Sequence, residues 1–149
     1  NKFGSMGVSS VAVGDVSGDG LPDIIYAGRG DANANVNLRV GPVHAVDGTG
    51  KLLWTARLAN NAQASLNVVH GSATVVNLDN DPQAEIAFGG ALIDHDGLLV
   101  WNQGGNGARL GTPLNNNQPI YNGGLATFAD LDADGKPELV TGRQAWKIN

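Results

Sequence analysis

Cysteine is absent from this 149-residue chain, which removes disulfides and thiolate metal sites from consideration and leaves the compartment open. Aromatic residues make up only 5%, and no apolar run approaches the roughly 20 residues a membrane-spanning helix needs, so such a span is excluded. Bases are few as well. Nine Lys and Arg against 14 acids give a net charge of −5, the wrong sign for a nucleic-acid-binding surface. The chain begins at Asn1 with no basic-then-apolar leader, as expected of a mature or excised portion. Glycine, by contrast, is plentiful. Twenty-two Gly and six Pro describe a turn-dense fold of short elements, and 42% apolar content suffices for one core.

The acids are unevenly spread: ten of the 14 lie in three nine-residue stretches that align position by position. The first runs Asp15-Val16-Ser17-Gly18-Asp19-Gly20-Leu21-Pro22-Asp23 and the second Asn77-Leu78-Asp79-Asn80-Asp81-Pro82-Gln83-Ala84-Glu85. The third is Asp130-Leu131-Asp132-Ala133-Asp134-Gly135-Lys136-Pro137-Glu138. Places one, three, five and nine always carry a side-chain oxygen. Alternating oxygens on a tight loop converge on a hard cation, and calcium takes six to eight of them at about 2.3–2.6 Å. The expected ligands are Asp15, Ser17, Asp19 and Asp23, then Asn77, Asp79, Asp81 and Glu85, then Asp130, Asp132, Asp134 and Glu138. Place seven adds a backbone carbonyl from Leu21, Gln83 or Lys136, and water completes the shell. Magnesium fits less well because it keeps more of its own water.

An EF-hand is excluded by spacing. It closes on a carboxylate at place twelve between two helices, whereas place twelve here is Tyr26, Phe88 and Thr141. The flanks read as strands instead: Val11–Val13 and Ile24–Tyr26, Thr74–Val76 and Ile86–Phe88, Thr127–Ala129 and Leu139–Thr141. Each acidic loop is therefore expected to be a hairpin turn. Three, three and four carboxylates place the third loop tightest by charge count. Pro82 stands where the other loops have Gly20 and Gly135 and cannot take their positive φ, so the second loop must turn differently or bind more weakly.

The repeat extends downstream. Val46-Asp47-Gly48-Thr49-Gly50-Lys51-Leu52-Leu53-Trp54 matches Ile93-Asp94-His95-Asp96-Gly97-Leu98-Leu99-Val100-Trp101, both reading strand, Asp/Gly turn, strand. Four short strands per repeat, repeated radially, describe the blades of an all-β propeller. Repeat boundaries fall near 1–60, 61–113 and 114–149, the last lacking its fourth strand, with Trp146 aligned to Ile93. The first repeat carries about 15 extra residues around Arg29 to Pro42, a surface insertion of the kind that often meets partners. Leu52 to His70 lacks Gly and Pro and places Trp54, Leu58, Ala62 and Leu66 at helical spacing. Asn60-Asn61 in its middle favours a strand followed by an ordered loop.

These residues resemble the FG-GAP/VCBS repeat family of calcium-loop propeller blades. The first repeat is nearest, with Phe3-Gly4, Val11-Ala12-Val13-Gly14, the acidic loop and Ile24-Ile25-Tyr26-Ala27-Gly28 in the family order. It departs where Gly28-Arg29-Gly30 replaces Gly-Ala-Pro, and the later repeats lack the leading Phe-Gly. The resemblance implies up to three Ca2+ ions and a β-propeller segment completed by other blades or by a second copy of the chain. It also implies an extracellular or cell-surface setting, with adhesion, protein interaction or assembly as the role. A carbohydrate-binding, lectin-like module or the propeller part of a polysaccharide lyase is the alternative, with a self-assembling filament or oligomer subunit a third.

No catalytic constellation stands beside this, so a non-enzyme is expected. His44, His70 and His95 occupy non-equivalent repeat positions, and Gly104 to Gly111 misses the dinucleotide fingerprint. Arg29-Gly30-Asp31 reads as a chance tripeptide, Trp54 and Trp101 as core between repeats, and Asn115–Asn117 as loop. Of the acids outside the loops, Asp31, Asp47, Asp94 and Asp96, three sit in turns. Three bound divalent ions would bring the net charge to about +1, so the acidic balance describes the metal-free chain.

Overall fold

A computed structural model describes residues 11–28, 40–64, 66–67, 72–79, 81–102, 125–141 and 144–148. Phe3-Gly4, Arg29-Gly30-Asp31, most of the first-repeat insertion, His70, Gly104 to Gly111 and Asn115–Asn117 lie outside them. The described residues form short strands and no helix. In chain order these are β1 (Ala12–Gly14), β2 (Asp23–Ala27), β3 (Val40–Gly41), β4 (Val43–Val46), β5 (Leu52–Thr55), β6 (Leu66–Asn67), β7 (Ala73–Val76), β8 (Glu85–Phe88), β9 (Ala91–Ile93), β10 (Leu99–Asn102), β11 (Ala126–Ala129), β12 (Glu138–Thr141) and β13 (Gln144–Trp146).

Three antiparallel sheets result, ordered β1-β2-β4-β5, β7-β8-β9-β10 and β11-β12-β13, with a small β3-β6 pair beside the first. Each acidic stretch joins the first two strands of its sheet, as the flanking apolar residues imply. Register shows how closely the sheets repeat. Val13 faces Ile24, Val75 faces Ile86, and Phe128 faces Leu139. Across the next ladder Ile24 faces Val46, Ile86 faces Ile93, and Leu139 faces Trp146. The alignment of Trp146 with Ile93 is thus a matched position in three dimensions. Of the stretch Leu52 to His70, the described residues 52–64 begin as β5 and continue as an ordered turn: Asn61 takes φ 63°, and Asn60 Oδ1 accepts the Ala62 N–H at 3.0 Å.

The sheets pack face to face. Successive side chains on a strand point to opposite faces, so Ile86 and Phe88 of β8 join Ile25, Ala27, Val43 and Ala45 of the first sheet, while Ala87 turns to Ala126 and Leu139 of the third. Burial on both faces explains why β8 runs Ile86-Ala87-Phe88 without polar alternation after Glu85. Trp54 packs on the first of these clusters and Trp101 on the second, where it meets Trp146 edge-on at 5.7 Å. At the contact between first strands, a Cβ on Gly14 would lie 2.5 Å from Val75 Cγ1, so only glycine allows β1 this close to β7. Thr74 Oγ1 donates to the Ala126 carbonyl at 2.5 Å, tying β7 to β11. The Arg57 backbone bonds to Gly97 and Leu99, linking the first sheet to the second turn of the middle one.

One face stays open. Val13, Ile24 and Leu52 are 62%, 37% and 36% exposed, although their counterparts Val75, Ile86 and Leu99 pack on the core between the first and second sheets. Among the described residues no helix is long and apolar enough to cross a membrane.

Candidate metal centres

The three acidic loops share a backbone scaffold that their carboxylates themselves maintain. At place nine, the first residue of the outgoing strand, Asp23, Glu85 and Glu138 are buried and reach back to place two. Asp23 Oδ2 accepts the Val16 N–H at 3.0 Å, Glu85 Oε2 accepts the Leu78 N–H at 2.7 Å, and Glu138 Oε2 accepts the Leu131 N–H at 2.8 Å. At place five, Asp19, Asp81 and Asp134 each accept the N–H of place seven, from Leu21, Gln83 and Lys136, at 2.8–2.9 Å. These are Asx-type turns, which let Asp bend the chain by bonding two residues ahead. Place six carries positive φ at Gly20 (82°) and Gly135 (85°), the conformation Pro82 cannot adopt. Place four does so at Gly18 (76°) and, unusually for a residue with a Cβ, at Ala133 (60°).

Beyond this frame the loops diverge. In the first, Asp15 Oδ1 accepts the Gly18 and Asp19 N–H groups at 2.7 and 3.2 Å, and Oδ2 accepts Gly20 N–H at 2.8 Å. Ser17 donates its N–H to Asp23 at 2.9 Å and points its hydroxyl at Asp15 Oδ1, 3.5 Å away. Its acids serve the loop's own amides. In the second, Asp79, Asp81 and Glu85 place a carboxylate oxygen each within 4.8 Å of one another. Asn77 replaces the opening aspartate and donates its amide to the Asp81 and Gln83 carbonyls. Glu85 is 6% exposed, and its Oε1 has no hydrogen-bond partner among the described residues. Burial pushes its carboxyl above the ordinary range, and the charges of Asp79 and Asp81 push the same way. An unpartnered buried carboxylate oxygen beside two further acids is the setting a hard cation would satisfy.

In the third loop Asp130, Asp132 and Glu138 converge within the same 4.8 Å. Asp130 accepts Asp134 and Gly135 N–H groups at 3.1 and 2.9 Å. A positive charge is already there: Lys147 Nζ lies 2.6 Å from Asp132 Oδ2, 2.8 Å from Asp134 Oδ2 and 4.0 Å from Glu138 Oε1. Its ammonium stands where a bound cation would stand. Hydrogen bonding to Lys147 holds the Asp134 carboxyl below its usual value, and Asp132 and Asp134 together raise the lysine's.

Two features escape the spacing of the acidic stretches. Lys147 follows Trp146 and so occupies the position held by Asp47 after Val46 and Asp94 after Ile93; the aligned repeats carried this signal. The other is a third cluster, in which Glu85, Asp94 and His95 bring one ligand atom each within 4.8 Å. Elsewhere, His44 is half-buried against Tyr26 and its Nδ1 lies 2.9 Å from Thr55 Oγ1, a packing position where burial lowers its pKa. Asp47 accepts Thr49 and Lys51 N–H groups within its own turn, and Asp96 pairs with Arg57 at 2.6 Å. No protein-family model, curated protein or solved structure matches the chain.

Proposed function

We propose that the chain is a calcium-stabilised, non-enzymatic segment of a β-propeller of the FG-GAP/VCBS type, acting outside the cell in adhesion or assembly. One observation carries this reading: the oxygen-bearing loop recurs as the first hairpin turn of each sheet, with a buried place-nine carboxylate beneath it every time. In the second loop Asn77, Asp79, Asp81, Glu85 and the Gln83 carbonyl would hold the ion. In the third it would be Asp130, Asp132, Asp134, Glu138 and the Lys136 carbonyl, and in the first Asp15, Ser17, Asp19, Asp23 and the Leu21 carbonyl. Bound calcium supplies positive charge to carboxylates that the fold brings together. The protein's part is to hold those oxygens on a hairpin whose amides are already capped.

The open face of Val13, Ile24 and Leu52 supports a partner built like a blade, either another repeat or a second copy of the chain, because its counterparts pack against exactly such a neighbour. An extracellular setting accords with the affinity of calcium modules of this kind, about 10⁻⁴–10⁻³ M. Trp54 and Trp101, which the lectin-like alternative would use as stacking platforms, are partly buried against the core clusters. Thermal unfolding in millimolar calcium and in chelator tests the proposal. Calcium is expected to raise Tm, since a ligand that binds only the folded state stabilises it; an unchanged Tm refutes it.

A further inference from the structure

We propose that the second repeat carries a site for a zinc-class divalent cation, formed by Glu85, Asp94 and His95 where the end of β9 meets the acidic hairpin. It goes beyond the calcium reading and does not need loop two to hold calcium, though Glu85 is shared, so the two ions are alternatives at that carboxylate. Ligand atoms of the three residues lie within 4.8 Å of one another, so a common point lies within about 2.8 Å of all three, against Zn–N and Zn–O bonds of about 2.0–2.2 Å. A modest side-chain adjustment closes that gap.

Proximity of acids alone would mean little, but two of the three groups present buried atoms that make no hydrogen bond among the described residues. Glu85 spends Oε2 on the Leu78 N–H at 2.7 Å, and its Oε1 is left without a donor in a residue only 6% exposed. His95 Nδ1 is also buried without a hydrogen bond. It lies 3.0 Å from Asp94 Oδ1, an ion-pair distance without hydrogen-bond geometry, and that oxygen also accepts the His95 backbone N–H at 2.8 Å. Native structures seldom leave such atoms unpaired unless water or an ion completes them.

The other repeats show what completes this corner elsewhere. The residue after the third strand is Lys147 in the third sheet, where its ammonium reaches Asp132, Asp134 and Glu138. In the first sheet it is Asp47, whose Oδ1 is used by Thr49 and Lys51, while Asp23 is capped by two N–H groups. Only the second repeat answers its place-nine carboxylate with another carboxylate and an imidazole, leaving the positive charge to come from solution.

The donor set selects the metal. Calcium and magnesium take oxygen ligands, whereas one imidazole nitrogen with two carboxylates suits zinc. Three protein ligands leave a fourth position for water or for a side chain of a partner.

Isothermal titration of zinc chloride into the full chain in metal-free buffer, where no calcium competes for Glu85, tests the site, with cobalt absorption as a second readout. About one zinc ion per chain is expected, with a rise in Tm at about 100 µM metal. His95→Gln and, separately, Asp94→Asn should each weaken zinc binding by at least about tenfold while leaving the calcium-induced Tm shift in place. Circular dichroism of both variants verifies the fold. No zinc binding, or binding unchanged in His95→Gln, overturns the proposal. A zinc response without a calcium response would instead sustain it and remove the calcium reading.

Discussion

The second and third acidic loops are built on one plan and neutralised in different ways. Both cap place two with a buried glutamate, and both bring three carboxylates within 4.8 Å. The strand that follows then delivers opposite chemistry to the same corner: Asp94 and His95 in the second repeat, Lys147 in the third. Counting carboxylates ranks the third loop first for calcium, but that count omits an ammonium 2.6 Å from Asp132. A tethered charge competes with a free ion at no cost in concentration, so on the calcium proposal the third loop is expected to hold its shape with or without metal and the second to depend on one. Repeats of one fold can thus differ in metal dependence through a single residue outside the motif.

The largest expected effect concerns what the loops share. Alanine at place nine in either loop, Glu85→Ala or Glu138→Ala, strands a backbone N–H and should cost about 1–3 kcal/mol in chemical unfolding with calcium present. Asp23→Ala, which strands two, should cost more. Glutamine at the same places separates the loops, since it keeps an acceptor and removes only charge. In chelator Glu85→Gln should be neutral or stabilising and Glu138→Gln mildly destabilising, and a common sign for the two would break the comparison.

Replacing the lysine sharpens it further. Lys147→Gln should leave loop three as needy as loop two, enlarging the calcium-induced Tm shift and tightening calcium binding by about tenfold, as ligand charge tunes such sites. In the metal-free protein the same change should raise the Asp134 pKa towards its ordinary 3.8, read by NMR titration. The sign follows from linkage. A carboxyl held low in the folded state lends stability above its unfolded pKa and loses it as pH falls through the folded value. That acid-side loss should shrink in Lys147→Gln.

The smallest effect lies in the backbone. Ala133 holds φ 60° where loop one has Gly18, so Ala133→Gly should stabilise the third loop by about 0.5–1 kcal/mol and leave the second untouched.

Much of the frame was legible in the chain. The strands flanking each loop, the second Asp/Gly turns and the pairing of Trp146 with the β9 position all appear where period-two apolar patterning and repeat alignment put them. Asn60-Asn61 marked a turn where Trp54, Leu58, Ala62 and Leu66 suggested a helix, because Asn tolerates positive φ and caps its own turn. The roles of the loop oxygens were less legible. Ligand spacing and amide capping ask for the same residue types at the same places, and in the fold Asp15 and Asp23 accept backbone N–H groups at places where the spacing puts ligands.

By itself, then, the sequence determined the repeating hairpins, their turns and their strand register, because those follow from alternation and turn chemistry within a few residues. Tertiary structure decided which charges meet, even where repeat alignment put Lys147 at the corner of Asp94. Lys147 reaches Asp134 from 13 residues away, and Arg57 reaches Asp96 from 39. Glu85 receives Asp94 and His95 across a folded ladder. Coulombic pairing depends on distance in space, and local patterning carries no record of it.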